Sequence, residues 1–411
     1  MRAMAFARTA PLRREIERRI PERPFAVEFW DGTRLPATDG GGGNGGSGPT
    51  FYVRSPRAAA HVLRAPGQLG LGRAYVSGEI EVDDMDAVIE LLDSWKPPSL
   101  DGADKRALLV GAVRAAGLTR PPRLPTSELR PSGRRHTKER DARAVRHHYD
   151  VSNEFFSLFL DDSMTYSCAV FSSGAETLEA AQEEKLEMVA RKLALKEGDR
   201  VLDVGCGWGS FPLWAATRHG ARVVGITLSP PQAEKARRRA EEAGAGDRVE
   251  IRVMDYRDLA GERFDAIASI GMVEHVGEEQ IDVYARTLAG LLEPGGQLLN
   301  HGIARLRHTD AEAGPFSERY VFPDAAPLHL SRVLLALERA GFVTRHVEEF
   351  GADYAETLRH WARRLDENLD RAVQLAGPER VRVWRLYLRA ARNGFESGFT
   401  SIYQARCVQT A

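Results

Sequence analysis

The chain has 411 residues, of which 43% are hydrophobic and 28% charged. That balance supports a globular protein with a real core and excludes a disordered tail, and the length suits one large domain with a smaller companion. With 57 basic against 58 acidic residues and a formal charge of −1, the whole molecule lacks the field that nucleic-acid binding demands, so no nucleic acid is expected as a partner.

In chain order, the opening MRAMAFARTAPLRRE is broken by Arg8 before an apolar signal core can form. No stretch reaches the roughly 18 uninterrupted apolar residues of a membrane span, so a cytoplasmic location is expected. Residues 1–118 read as an accessory α/β domain: FAVEFWDG and TFYVRS are strand-like, DMDAVIELLDSW is helical, and DGGGGNGGSG between the strands reads as a flexible loop.

Residues 119–145 read as a linker. Between Arg120 and Arg146 lie Pro121, Pro122, Pro125 and Pro131, with nine Lys or Arg against three acids. The run is either a solvated connection or a basic face for an anionic membrane surface, with Arg134 and Arg135 joined by Arg13, Arg14, Arg18 and Arg19 nearer the N-terminus.

From residue 146 to 411, strand-like runs (RVLDVGC, ARVVGITL, VEIRVMD, FDAIASIG, QLLNHGIA) alternate with helical ones (GSFPLWAATRHG, PPQAEKARRRAEEAGAG, EEQIDVYARTLAGLLEPGG). That alternation predicts parallel strands with crossover helices, hence an α/β, doubly wound, Rossmann-like sheet. Helical periodicity returns between Leu328 and Ala340, the C-terminal third is helix-rich, and TSIYQARCVQ closes as a last strand. Cys168, Cys206 and Cys407 show neither a pairing framework nor metal-ligand spacing, so reduced thiols and no metal are expected.

Within VLDVGCGWGS, residues 201–210, Gly205, Gly207 and Gly209 follow a buried strand and open a helix. Glycines there permit a tight turn and close approach to a nucleotide-type ligand, and Asp203 can fix the loop or meet the ligand's ammonium group. A nicotinamide site carries an acid about 20 residues on. The second strand ends instead in GITLSPPQ, with Thr227 and Gln232 as its polar groups, which favours S-adenosyl-L-methionine and departs from most methyltransferases of this fold. After the third strand, in MDYRDL, Asp255 can accept from an adenine amino group or cap a helix, and Tyr256 can cover the ring.

HYDVSNEFFSLFLDDSMTYSCAVF at 148–171, VLDVGCGWGS, GITLSPPQ, IGMVEHVG and FGADYAETL stand in an order and spacing that resembles the cyclopropane fatty acid synthase and mycolic acid cyclopropane synthase family, from about residue 145 onward. The resemblance implies a seven-stranded methyltransferase core with Tyr166, Ser167, Gly205, Gly207, Thr227, Leu228, Gln232, Asp255 and Tyr256 around the cofactor. It also implies a bicarbonate ion acting as base, surrounded by Cys168, Glu274, His301, Ile303 and Tyr354. The implied activity is transfer of the methyl carbon to the cis double bond of a phospholipid acyl chain, with ring closure, by an enzyme peripheral to the inner face of the membrane. A homodimer is compatible with it.

An alkene is a weak nucleophile, and its attack on a sulfonium methyl leaves a carbocation that the site must stabilise and then deprotonate. From the residues alone, Glu274 is the first candidate base. The resemblance gives that role to bicarbonate, with His301 donating to it, Glu274 accepting its proton or orienting His301, and Tyr354 adding a hydrogen bond. Taken singly, Glu274 and His275 also read as a surface pair at a helix start, His301 as a satisfied core histidine and Tyr354 as packing. Cys168 reads as a backbone contributor, since no base is placed to form its thiolate, and Cys206 as a small apolar filler. The acyl chain needs apolar walls; RYVFPDAAPLHLSRVLLAL (319–337) and Phe155, Phe156, Phe159 and Leu160 either supply them or form ordinary core.

Three other readings stay open at this point. The product can be a methylene- or methyl-branched acyl chain, the substrate can be a small molecule, or the chain can be a non-catalytic lipid-binding protein.

Overall fold

The computed structural model describes residues 8–38, 48–116, 122–130, 135–149, 151–309 and 314–410. All but Gly48 of the glycine-rich stretch, together with Arg120, Pro121, Pro131 and Arg134 of the expected linker, lie outside the described residues. The chain divides into two compact units, Met1–Glu128 with Gly377–Ala390, and Leu129–Ala376 with Ala391–Ala411.

In the first unit, β1 (Ala26–Glu28), β2 (Arg34–Leu35), β3 (Thr50–Val53) and β4 (Ile80–Val82) form a four-stranded sheet in the order β2-β1-β3-β4. The helices are α1 (Ala10–Arg19), α2 (Arg57–Arg64), α3 (Gln68–Val76), α4 (Met85–Ser94) and α5 (Gly102–Ala116). Helix α4 starts where the Asp84 carboxylate accepts from the Ala87 amide, satisfying one of the donors that a helix start leaves open. Within 377–390, Val381, Val383, Trp384 and Leu388 are buried, and Arg389 pairs with Asp86 at 2.9 Å.

The second unit opens with α6 (Lys138–Tyr149), α7 (Asn153–Ser157) and α8 (Leu178–Lys192). It continues as β5 (Arg200–Val204), α9 (Ser210–His219), β6 (Arg222–Thr227), α10 (Pro230–Glu242), β7 (Val249–Val253), β8 (Phe264–Ile270), α11 (Ile281–Leu291) and β9 (Leu292–Arg305). Then follow α12 (Pro315–Tyr320), α13 (Leu330–Arg339), β10 (Phe342–Glu349), α14 (Gly351–Glu367), α15 (Leu369–Glu396), which is broken at the non-helical Gly377 and whose Gly377–Ala390 part belongs to the first unit, and β11 (Thr400–Gln409). The sheet has seven strands in the order β10-β11-β9-β8-β5-β6-β7, parallel except that β11 runs antiparallel to both neighbours. The expected doubly wound, seven-stranded α/β core is therefore present.

Central strands are buried on both faces, as parallel strands under two helix layers must be. In β5, Leu202 and Val204 enter one apolar cluster with Ile267, Tyr284 and Leu298, while Val201 enters another with Val223, Phe211 and Leu186. Ser229 caps α10 at the Gln232 amide, and prolines occupy the first helical positions, where a missing N–H costs nothing.

In the seven-stranded sheet two strands differ from expectation. Strand β9 begins at Leu292, so the EPGG that closed the predicted helix is drawn into the sheet across a register shift opposite Phe264–Ala266. Strand β10 was not predicted: it is an edge strand with only Phe342 buried, so its sequence carries no alternating apolar signal. The segment 319–337 and the 155–160 aromatics pack largely as core, with Tyr320, Val321, Leu328, Val333, Ala336, Leu337, Phe155, Phe156, Phe159 and Leu160 all buried. Among the described residues, no helix is long and apolar enough to cross a membrane.

Candidate active site

The sheet winds in opposite directions from β5, toward β6 and β7 on one side and toward β8 and β9 on the other. Such a reversal leaves a crevice beyond the carboxyl ends of the strands. A pocket occupies it, lined by Tyr166, Ser167, Asp203, Gly205, Gly207, Thr227, Leu228, Gln232, Asp255 and Tyr256 among others. Of the residues expected around the cofactor, only Gly209 is not a wall; it caps α9, where a Cβ would lie 3.0 Å from the Ala236 Cβ. Gly205 has φ +87°, and both its amide and that of Cys206 donate to the Ile226 carbonyl, at 3.0 and 2.9 Å. That left-handed turn costs a side-chain-bearing residue about 1–2 kcal/mol, which explains the glycine.

Asp203 is buried, and its Oδ1 has no partner. Burial pushes its carboxyl up to about 7, against the opposing charge of Lys185. Lys185 is itself buried and donates to the Ser167 hydroxyl at 3.0 Å, with its ammonium pushed down to about 8 by the same desolvation. On β6 the Thr227 hydroxyl donates to Gln232 Oε1 at 2.8 Å, so a neutral pair stands at the second strand end. Asp255 does cap a short 3-10 turn, accepting from the Arg257 amide at 2.9 Å, and its carboxylate is gripped by the Arg257 side chain at 2.7 and 2.6 Å. Burial would raise its carboxyl, but the Arg257 hydrogen bonds prevail and hold it below the usual range.

Cys168, Glu274, His301, Ile303 and Tyr354 fall into two sets, Glu274 with the Ile303 amide, and Cys168, His301 and Tyr354 around Phe350. Gly271, a pocket wall, donates its amide to the His301 carbonyl at 2.8 Å. Glu274 lies in the 3-10 turn Val273–His275 that follows β8 and is buried, so the surface-pair reading fails. Its carboxylate accepts from its own amide and from the Ile303 amide, yet burial dominates and pushes it up to about 7; Oε2 has no partner. His301 on β9 is fully buried, with Nδ1 3.2 Å from Gln404 Nε2 and Nε2 without a partner. Burial, reinforced by Lys185 and Lys192, keeps its imidazole well below the ordinary value and therefore neutral.

Gly302 and Phe350 organise the group. A Cβ on Gly302 would stand 3.5 Å from Glu274 Oε2 and 2.2 Å from Val273 Cγ1, so only glycine lets β9 pass the turn that carries Glu274. The Phe350 ring stacks on His301 with centroids 6.4 Å apart, and its carbonyl accepts from the Tyr354 amide at 2.9 Å and the Cys168 thiol at 3.7 Å. Burial pushes the Cys168 thiol well up, which fits no thiolate role. Tyr354 packs edge-on against Trp361, and Trp361 stacks on Tyr166 at 5.1 Å, an aromatic run from the cluster back to the pocket wall.

Residues 136–405 match the family described as mycolic acid cyclopropane synthetase. The chain belongs to this family. It is 41% identical over 362 residues to a probable fatty acid methyltransferase of Mycobacterium tuberculosis, covering 84% of this chain and 83% of that one. It is 34% identical over 362 residues to the cyclopropane-fatty-acyl-phospholipid synthase of Escherichia coli, covering 88% of each. The solved mycolic acid cyclopropane synthase CmaA1, complexed with SAH and CTAB, aligns with a TM-score of 0.62 and 30% identity over 65% of this chain and 98% of that one.

This cyclopropane synthetase family member is an S-adenosylmethionine-dependent methyltransferase. The non-catalytic reading is thereby set aside. Sequence reasoning missed Lys185, Met272 and His275 as pocket walls, and Gln404 and Phe350 as partners of His301. Lys185 carried a signal: it follows Gln182 by three residues, hence on one helix face, and Gln182 Nε2 holds the Ser167 carbonyl at 2.8 Å while Lys185 holds its hydroxyl.

Proposed function

We propose that this methyltransferase is a cyclopropane-fatty-acyl-phospholipid synthase that adds a methylene carbon across the cis double bond of an acyl chain. The observation that carries the reading is two buried atoms without partners, Glu274 Oε2 in the turn after β8 and His301 Nε2 on the neighbouring β9. Orphaned buried polar atoms are costly, by about 1–3 kcal/mol each, and two of opposite character fit an ion that accepts at one end and donates at the other. Bicarbonate is such an ion.

Bound S-adenosylmethionine supplies an electrophilic methyl, and bicarbonate supplies a proton acceptor. Asp203 offers an unpartnered carboxylate oxygen to the ammonium end of the cofactor, and Tyr256 offers its ring to the adenine. Attack by the alkene forms one carbon–carbon bond, breaks the sulfur–methyl bond and leaves a cation on the acyl chain. Loss of a proton from the added carbon closes the second carbon–carbon bond. Glu274 would accept a hydrogen bond from the anion and His301 would donate one from Nε2, while the Ile303 amide steadies the Glu274 carboxylate. The faces of Tyr166, Trp361 and Tyr354 suit a transient cation.

Contact with an anionic membrane surface is supported by the exposed Arg14 and Arg18 on α1. Arg19 instead bridges Glu15 and Asp104, and Arg135 bridges Glu318 and Asp324. A second reading, a methylene- or methyl-branched product, is favoured by the name of the 41% identical relative, a fatty acid methyltransferase.

Expression in a bacterium lacking its own cyclopropane activity, followed by gas chromatography–mass spectrometry and proton NMR of the lipids, tests both. The expected product is heavier than the parent acyl chain by one CH2 and shows ring protons. A branched chain would establish the second reading, and unaltered lipids would remove the lipid assignment.

A further inference from the structure

We infer that Lys192 and Gln404 together fix the tautomer of His301, holding its proton on Nε2 so that this nitrogen presents a donor. The inference rests on the anion-site reading for its catalytic meaning, but its structural content stands on hydrogen-bond geometry alone.

Three adjacent strands set up a row of side chains. On β11, Gln404 is the register partner of His301 on β9 and of Glu348 on β10. Lys192, in the last turn of α8, donates to Gln404 Oε1 at 2.7 Å and to Glu348 Oε2 at 2.6 Å. An ammonium only donates, so the Gln404 atom facing it must be the carbonyl oxygen, and the amide cannot turn over without losing that bond. The NH2 end of Gln404 therefore faces His301 Nδ1, at 3.2 Å. An amide nitrogen also only donates, so Nδ1 must accept and the single proton of the neutral imidazole sits on Nε2.

The consequence lies at the other end of the ring. Nε2–H is buried without a partner, and so is Glu274 Oε2. With this tautomer the cluster offers one donor and one acceptor, the complement of an anion that still carries a hydroxyl. With the proton on Nδ1 instead, Nε2 and Glu274 would both present lone pairs, and bicarbonate would meet repulsion at its carboxylate end. Lys192 and Gln404 are thus positioning residues: neither needs to touch the anion, and together they decide whether the histidine can.

The test is nitrogen-15 NMR of the full-length protein labelled in its histidine rings, with no substrate or cofactor present, His301 being assigned by comparison with H301Q. Wild type is expected to show a pyridine-type Nδ1 and a pyrrole-type Nε2. Gln404→Glu, which can only accept at that position, is expected to move Nδ1 into the protonated range, and K192M to give a mixture as the amide is released to turn. Half-maximal turnover in degassed buffer is expected to need at least about tenfold more added bicarbonate in Q404E, a loss of about 1.4 kcal/mol. A wild-type His301 protonated on Nδ1, or an unchanged tautomer in both variants, overturns the inference. If the tautomer moves as expected but wild-type turnover is indifferent to bicarbonate, the anion-site reading fails and the positioning role stands.

Discussion

At the level of single residues, the site depends on groups held away from water in uncomfortable states. Burial disfavours the charge of Glu274 and pushes its carboxyl up from the ordinary 4.5 to about 7. A carboxyl raised in this way makes the fold bind a proton more tightly than the unfolded chain does. Stability is therefore fully present below pH 4.5 and is lost as pH climbs to about 7, remaining lost above it. Glu274→Gln, which cannot ionise, is expected to melt progressively higher than wild type across that window, by on the order of 3 kcal/mol at most. The same change is expected to cut kcat by about a hundredfold or more while S-adenosylmethionine affinity stays nearly constant. Equal losses in both would move Glu274 into the cofactor pocket. Asp203 gives the converse test. Its replacement by Asn is expected to weaken cofactor binding by about 1.5–3 kcal/mol in calorimetry, the range of a hydrogen bond to a charged group. In the wild type, binding is expected to tighten as pH rises through about 7 and Asp203 ionises; a flat profile would separate Asp203 from the ammonium.

At the level of elements, β9 and the turn after β8 are locked together at Gly302. G302A would drive a methyl into Val273 Cγ1 at 2.2 Å and displace the turn that carries Glu274. A loss of about 1–3 kcal/mol in denaturant unfolding is expected, with the larger effect on turnover; a neutral result would mean that the turn gives way freely. This scale also shows what could be read beforehand. The glycine loop, the 227–232 turn and β11 were legible because each is a local pattern: left-handed glycines, a Ser-Pro-Pro helix start, an apolar run between turns. Glu274, His301 and Tyr354 were legible only through several motifs standing in register, since one buried acid or imidazole has no periodic signature. Lys192 and Gln404 lie 212 positions apart, and no spacing rule connects them before the sheet is built. Strand β10 escaped because an edge strand exposed along most of its length lacks the alternation that marks a half-buried one.

For the whole molecule, the unexpected feature is that Gly377–Ala390 belongs to the first unit. Helical periodicity announces an apolar face there but cannot say what covers it. A version of the chain trimmed of residues 1–128 is expected to expose Val381, Trp384 and Leu388, which are 2%, 2% and 0% accessible in the intact fold. Poor solubility or a clearly lowered melting temperature is the anticipated outcome. Undiminished solubility and melting would mean that this helical segment needs no partner from the first unit.

The placement of β11 bears on how the protein is born. It is the last strand in chain order, yet it is inserted between β9 and β10 rather than added at a rim. While the polypeptide is still being made, β9 and β10 have no ladder to share, and the imidazole that awaits Gln404 has none of its final neighbours from that strand. Both units also draw on residues beyond 376. Neither can therefore close before those residues are made, and the closing step is slow because pairs such as His301 and Gln404 stand 103 positions apart.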